Sequence, residues 1–216
     1  MALNLISDPG RFFEELKGKE ISLKVPLLII LVLSIIGGIN QFLITIKLAE
    51  AFPSDFAGIV RLGAYIGFIG SFAVMMIVWV AVSAIMHVIS SYFGGQGLFK
   101  RTLEFTGYGF MPSILASAIT TAVGAQYIAS ARVPKLSMTD IQSGEFVNEI
   151  MSTMLPADFV YFSIIVSLAF GVWSLTIWTF GLKHARGLST RNAAITVLLP
   201  FLAYVGYTAY TLWGYI

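Results

Sequence analysis

Residues 62–93 read LGAYIGFIGSFAVMMIVWVAVSAIMHVISSYF and are followed at once by Gly94-Gly95-Gln96-Gly97-Leu98-Phe99-Lys100-Arg101. A helix crosses the hydrocarbon core with about 20 apolar residues. These 32 contain no Asp, Glu, Lys or Arg and would extend roughly 48 Å at about 1.5 Å per residue. Such a helix tilts or projects beyond the bilayer. The glycine-rich basic turn then reverses the chain into a further apolar segment. This one stretch places the chain in a membrane.

Working outward, apolar spans are read at about 25–46, 62–93, 105–129, 159–182 and 193–216. Hydrophobic residues make up 57% of the 216 and charged residues only 11%, against about 25% charged in soluble domains. The fold class expected is therefore an all-α membrane protein of five transmembrane helices, with a short N-terminal interfacial helix and a helical outer loop. Residues 1–24 are read as a cytoplasmic amphipathic segment and 25–216 as the transmembrane domain. The first span is too long, and its flanks are wrong, for a cleaved signal. Cysteine is absent, which excludes disulfides, thiol nucleophiles and thiolate metal sites. A net charge of +2 gives no footprint for nucleic acid; the partner implied by composition is the lipid bilayer.

Orientation follows from lysine and arginine. With alternating spans, Arg11, Lys17, Lys19, Lys24, Lys100, Arg101, Lys183, Arg186 and Arg191 share one side, and Lys47, Arg61, Arg132 and Lys135 the other. The positive-inside rule places the nine-residue side, and so the N-terminus, in the cytoplasm and the C-terminus outside. The chain is thus read as integral to the cell membrane. Trp213 and Tyr215 then fall at the outer interface.

Two segments outside the spans carry helix signals. Ser7-Asp8-Pro9 caps a helix with proline in its first turn, and Gly18 stops it. Phe12, Phe13 and Leu16 share one face, read as entering the membrane interface, with docking on the protein's own loops as the alternative. In the outer loop, Thr139 caps a run with apolar Ile141, Phe146, Val147, Ile150, Met151 and Met154, read as a cover over helix ends ahead of a lid or docking patch.

The chemical motifs are few. Gly94-Gly95-Gln96-Gly97 lacks the Gly-Lys-Ser/Thr ending and the strand of a phosphate loop, and reads as a tight turn using positive φ. Gly63, Gly67 and Gly70 follow the small-residue spacing for close helix approach. Packing within the monomer is favoured there over a homo-oligomer face. His87 is read as the sole ionisable residue within the five spans, six residues or about 9 Å inside the end of the second. Ionisable groups at that depth are functional candidates, here as a proton or ligand contact with Glu104, against a neutral imidazole hydrogen-bonded across the bundle. His87, Glu104 and His184 are too dispersed for a metal site. No activated serine or carboxylate pair is recognised, so no enzyme, cofactor or catalytic residue is expected. Pro112 and Pro200 are expected to kink the third and fifth helices.

Asp8-Pro9-x-Arg11-Phe12-Phe13, His87 followed by Gly94-Gly95-x-Gly97-x-Phe99, Gly107-Tyr108 with Pro112, and Trp178-x-x-x-Gly181-Leu182-x-His184-x-x-Gly187-Leu188-Ser189-Thr190-x-x-Ala193 occur in that order. Together they resemble the Yip-domain (Ypt/Rab-interacting) integral membrane family, in the form of its bacterial and archaeal members. The resemblance implies Gly94, Gly95, Gly97, Phe99, Gly107, Tyr108, Pro112 and Gly187 as signature positions, five membrane helices, a cytoplasmic N-terminus and no catalysis. Eukaryotic members resemble trafficking adaptors that bind small GTPases and shape or tether membranes. Two functions follow as expectations. One is a non-enzymatic scaffold or adaptor presenting Lys100-Arg101 and Lys183 to Arg191 to a protein partner or anionic lipid. The other is a small channel or transporter with a path near His87.

Overall fold

The computed structural model describes residues 2–143 and 146–213, and among them all regular structure is helical. In chain order the helices are α1 Ala2–Ser7, α2 Pro9–Lys17, α3 Lys24–Ala49, α4 Ser54–Tyr92, α5 Phe99–Tyr108, α6 Met111–Ser130, α7 Met138–Ser143, α8 Phe146–Met154, α9 Ala157–Arg186 and α10 Thr190–Trp213. Among the described residues, four units are long and apolar enough to cross a membrane: α3, α4, α5 with α6 (Phe99–Ser130), and α9. In α10 an apolar stretch covers Thr190–Ala203 among the residues whose side chains are described. Tyr215 and Glu145 lie outside the described residues, as do the side chains of Trp213 and Val147.

The surface of these units is what a lipid-facing bundle requires. Ile59, Ile69, Ile77 and Ile165 are 66–74% exposed. In water such a surface would drive association; in a bilayer the solvent is itself apolar. Packing instead uses close backbone approach. A Cβ on Gly38 of α3 would lie 2.8 Å from Ser71 Oγ and 2.9 Å from the Phe68 ring of α4, and Ser71 Oγ donates to the Ser34 carbonyl across this contact. The glycines expected to make such an approach within the monomer do not make it there. Added Cβ atoms on Gly63 and Gly70 would meet nothing within 4 Å, and on Gly67 only the Gln41 side chain at 3.6 Å. Spacing marks a small-residue face but not which helix lies opposite it.

Three further boundaries depart from expectation. α4 begins at Ser54 rather than near Leu62 and runs 39 residues, since hydropathy registers the apolar run but not the polar turns that extend it. The third span is two helices, not one. Its chain breaks at Gly109-Phe110, and Pro112 lies in the first turn of α6, where its missing N–H leaves no bond unmade. Pro112 therefore starts a helix instead of kinking one, whereas Pro200 does lie inside α10. The outer loop likewise forms α7 and α8 rather than one run. Its cap is Ser137, whose Oγ accepts from Asp140 N at 3.2 Å, and not Thr139. Ile150 and Met154 of α8 are fully buried against Ala51, and Leu136 N donates to the Ala51 carbonyl, so this loop is packed onto the far end of α3.

At the near end, α2 forms as its signals dictate: Asp8 accepts from Arg11 N and Pro9 opens the helix. Its apolar face does not enter lipid. Phe12, Phe13 and Leu16 are buried in one cluster with Ile30, Trp79, Phe105, Tyr108 and Ile177. Phe13 stacks edge-on to Phe12 at 5.1 Å and lies 4.9 Å from Phe105. An amphipathic stripe serves protein and membrane equally well, and here the protein takes it.

Candidate functional site

Most of the singled-out residues converge at the end of the bundle that carries the basic segments. At its centre is α5, FKRTLEFTGY, whose Thr102, Glu104, Phe105, Thr106, Gly107 and Tyr108 are all buried. Two tryptophans hold this helix from opposite neighbours. Trp79 Nε1 of α4 donates to the Leu103 carbonyl at 2.9 Å, and Trp178 Nε1 of α9 donates to the Thr106 carbonyl at 2.8 Å. The signature glycine Gly107 and its neighbour Gly109 make room for them. A Cβ on Gly107 would lie 2.5 Å from Pro26 Cβ and 3.1 Å from Trp79 Nε1, and one on Gly109 would fall on the Trp178 ring.

Glu104 is fully buried and satisfied. One carboxylate oxygen accepts from Ser22 N at 2.9 Å, the other from Arg101 at 2.6 Å. Arg101 also donates to the Lys19 carbonyl at 2.5 Å, which ties α5 to the chain leaving α2. His87 is not paired with Glu104. Its Nδ1 lies 2.9 Å from Thr102 Oγ1, and its ring meets Phe99 edge-on at 5.4 Å. His184 is half-buried on α9, within electrostatic reach of Glu14 and Lys17 on α2. The three groups thus make separate contacts, and no cluster of three metal-binding side chains occurs among the described residues.

The dominant polar residue is one that sequence reading treated only as a cytoplasmic charge. Arg186, at the end of α9, is 3% exposed. Its Nε donates to Ser90 Oγ at 2.8 Å, Nη1 to the Gly97 carbonyl at 2.7 Å, and Nη2 to Ser91 Oγ and the Gly95 carbonyl, both at 2.9 Å. The Gln96 N–H closes the contact by donating to the Arg186 carbonyl at 2.8 Å. All the guanidinium acceptors are neutral, and they gather where α4 ends and its carbonyls carry partial negative charge. Gly187 then ends α9 in the left-handed region at φ 65°, and Leu188 N bonds back to the Lys183 carbonyl, a helix-ending motif that glycine permits. This contact joins the turn after α4 to the turn after α9, two segments some 90 residues apart in sequence.

The turn itself uses its glycines in two ways. Gly94 and Gly97 have positive φ, 76° and 111°, and Gly95 does not. A Cβ on Gly95 would lie 2.7 Å from the Ser90 carbonyl oxygen and 3.2 Å from Arg186 Nε, whereas one on Gly94 would meet nothing within 4 Å. Gly94→Ala is therefore expected to cost about 1 kcal/mol, from left-handed strain alone. Gly95→Ala is expected to cost more, because the chain must move off the Arg186 contact. Thermal melting of both variants in detergent checks this ordering, which equal losses would contradict.

Glu104, Arg101 and Arg186 at this end are engaged in bonds within the chain. Exposed basic side chains remain on its surface: Lys17, Lys19, Lys24, Lys100 and Arg191. A family model described as the Yip1 domain matches residues 3–211. An uncharacterised protein of Methanocaldococcus jannaschii is 37% identical over 121 residues, which cover 56% of this chain and 86% of the relative. No solved structure matches.

Proposed function

This chain belongs to the Yip1 domain family of membrane proteins, and on that premise we propose that it is a non-enzymatic integral membrane scaffold or adaptor. In this reading it spans the bilayer five times, with α10 as the last span and the N-terminus in the cytoplasm. Its basic end meets a protein partner or the anionic surface of the cytoplasmic leaflet. The observation that carries the reading is the division of charge at that end. Arg101, Arg186 and Glu104 are consumed in internal bonds, while Lys17, Lys19, Lys100 and Arg191 stay exposed beside them. Each exposed cation near an anionic leaflet contributes about 1 kcal/mol. The buried set fixes the turns and the exposed set is presented by them.

His87 separates this reading from transport. Imidazole is the side chain whose ordinary pKa lies near neutrality, so a relay through His87 would give a flux that varies with pH. The scaffold reading expects vesicles carrying the parent or His87→Gln to pass protons and small ions no faster than protein-free vesicles between about pH 5 and 8. It also expects both proteins to fold alike. A pH-dependent flux in the parent that vanishes in a well-folded His87→Gln variant would contradict it.

A further inference from the structure

An apolar cavity of about 430 Å³ opens between the N-terminal helices, the start of α3 and the α5–α6 break. That volume falls in the range of about 300–1,000 Å³ typical of small-ligand sites. Its floor is made by Leu5, Phe12, Leu16, Ile29 and Tyr108, each at most 8% exposed. Its rim includes Val25 and Leu28, which are 48% and 58% exposed.

Three observations identify the occupant. The rim residues belong to α3, a membrane-spanning helix, so the medium reaching the mouth is the hydrocarbon of the bilayer. Tyr108 is the one lining residue with a polar side-chain atom. It is more than nine-tenths buried, and its hydroxyl has no hydrogen-bond partner among the described residues. The hydroxyl oxygen is not among the fully buried side-chain oxygens that lack a partner, so it keeps accessible surface at which an acceptor from outside the chain can reach it. Finally, Lys17 and Lys24 directly flank the lining residues Leu16 and Val25 in sequence. Both are exposed, and neither is paired with a carboxylate among the described residues.

We propose that this cavity holds one hydrocarbon chain of an anionic membrane phospholipid. An oxygen of the lipid's glycerol linkage accepts from the Tyr108 hydroxyl, and the phosphate lies by Lys17 and Lys24. The hydrocarbon gains the apolar floor, the phenol gains its missing acceptor, and the lysines gain an anion. The N-terminal helices would thereby be held to α3 through a lipid as well as through Phe12 and Phe13.

The test reconstitutes the protein in phosphatidylcholine vesicles containing a phosphatidylglycerol with a photoactivatable diazirine in one chain, and maps adducts by mass spectrometry. Adducts are expected on Leu5, Phe12, Leu16 and Ile29, at least fivefold above Ile30 and Leu33. Those two are equally buried on α3 but do not line the cavity. Leu28→Trp, which narrows the mouth, is expected to reduce the adducts on the floor several-fold. Tyr108→Phe keeps the ring packing and removes the hydroxyl; lipid retained through purification is expected to fall about tenfold, the equivalent of about 1.4 kcal/mol. Adducts no more frequent on the floor than on Ile30 and Leu33 would overturn the proposal. So would labelling by a photoactivatable fatty acid but not by the phospholipid, or retention unchanged in Tyr108→Phe.

Discussion

Arg186→Met should lower the melting temperature in detergent by roughly 6–12 °C, the largest effect expected of any single change at the basic end. The substitution keeps the length of the side chain and removes the guanidinium. The Gly95 and Gly97 carbonyls then lose their donor, while Ser90 and Ser91 still donate to the His87 carbonyl. An orphaned buried acceptor costs about 1–3 kcal/mol, so two place the loss at about 3 kcal/mol. For a chain of this size each kcal/mol shifts the transition by about 2–4 °C. Relief of guanidinium desolvation offsets part of this but leaves the carbonyls unmet. Arg186→Lys should recover less than half of the loss, because one ammonium does not reproduce a planar fork reaching four acceptors. A melting temperature within 2 °C of the parent for Arg186→Met would show that the two turns are not held by this residue.

Gly109→Val is the second large effect. The position has an ordinary φ, so backbone strain is not the issue. A Cβ there falls on the Trp178 ring, which is fixed by its bond to the Thr106 carbonyl and by edge-on packing with Phe110 at 5.1 Å. Overpacking of this kind costs about 1–3 kcal/mol. Here the ring also abandons its hydrogen bond, so the upper end of that range is expected. Trp178→Leu in the same chain should then restore part of the loss, since the two sites share one volume and are not additive. If Gly109→Val is neutral, or if Trp178→Leu makes it worse, the close contact is not what the glycine is for.

Much of the architecture could be read from the residues because hydropathy is a local property. Three of the spans read from length and apolar content, those of α3, α9 and the end of α4, were legible to within four residues, while the third begins six residues earlier than read and is broken in two. Legible too was α2, whose cap, proline and stop are adjacent in the chain. The family resemblance held over nearly the whole chain because its motifs recur in order. What could not be read depends on partners far apart in sequence. Arg186 and Arg101 look alike in a charge count, and nothing local says that one donates to residues 89 and more positions away. Glu104 looked like a partner for His87 because both are ionisable and near in the chain. It bonds instead to Ser22, 82 residues earlier. The break at Gly109-Phe110 was hidden because Pro112 suggests a kink, while the room made for Trp178 appears only once α9 is folded against α5. Gly38 made the close helix contact expected at Gly63, Gly67 and Gly70, since a spacing rule cannot choose between helices. The usable signal for Arg186 was its position, an arginine in the last turn of an apolar helix just before a helix-ending glycine.

In the proposed scaffold a basic end built from three segments distant in sequence faces the cytoplasm. Because the chain has no cysteine, single cysteines at Lys19, Gln96, Ser189 and Gln142 can be probed with a membrane-impermeant maleimide. In intact cells only the Gln142 variant should label, and the other three should label after permeabilisation, as the distribution of lysine and arginine requires. Labelling at Gln96 or Ser189 in intact cells, or at Gln142 only after permeabilisation, would contradict it.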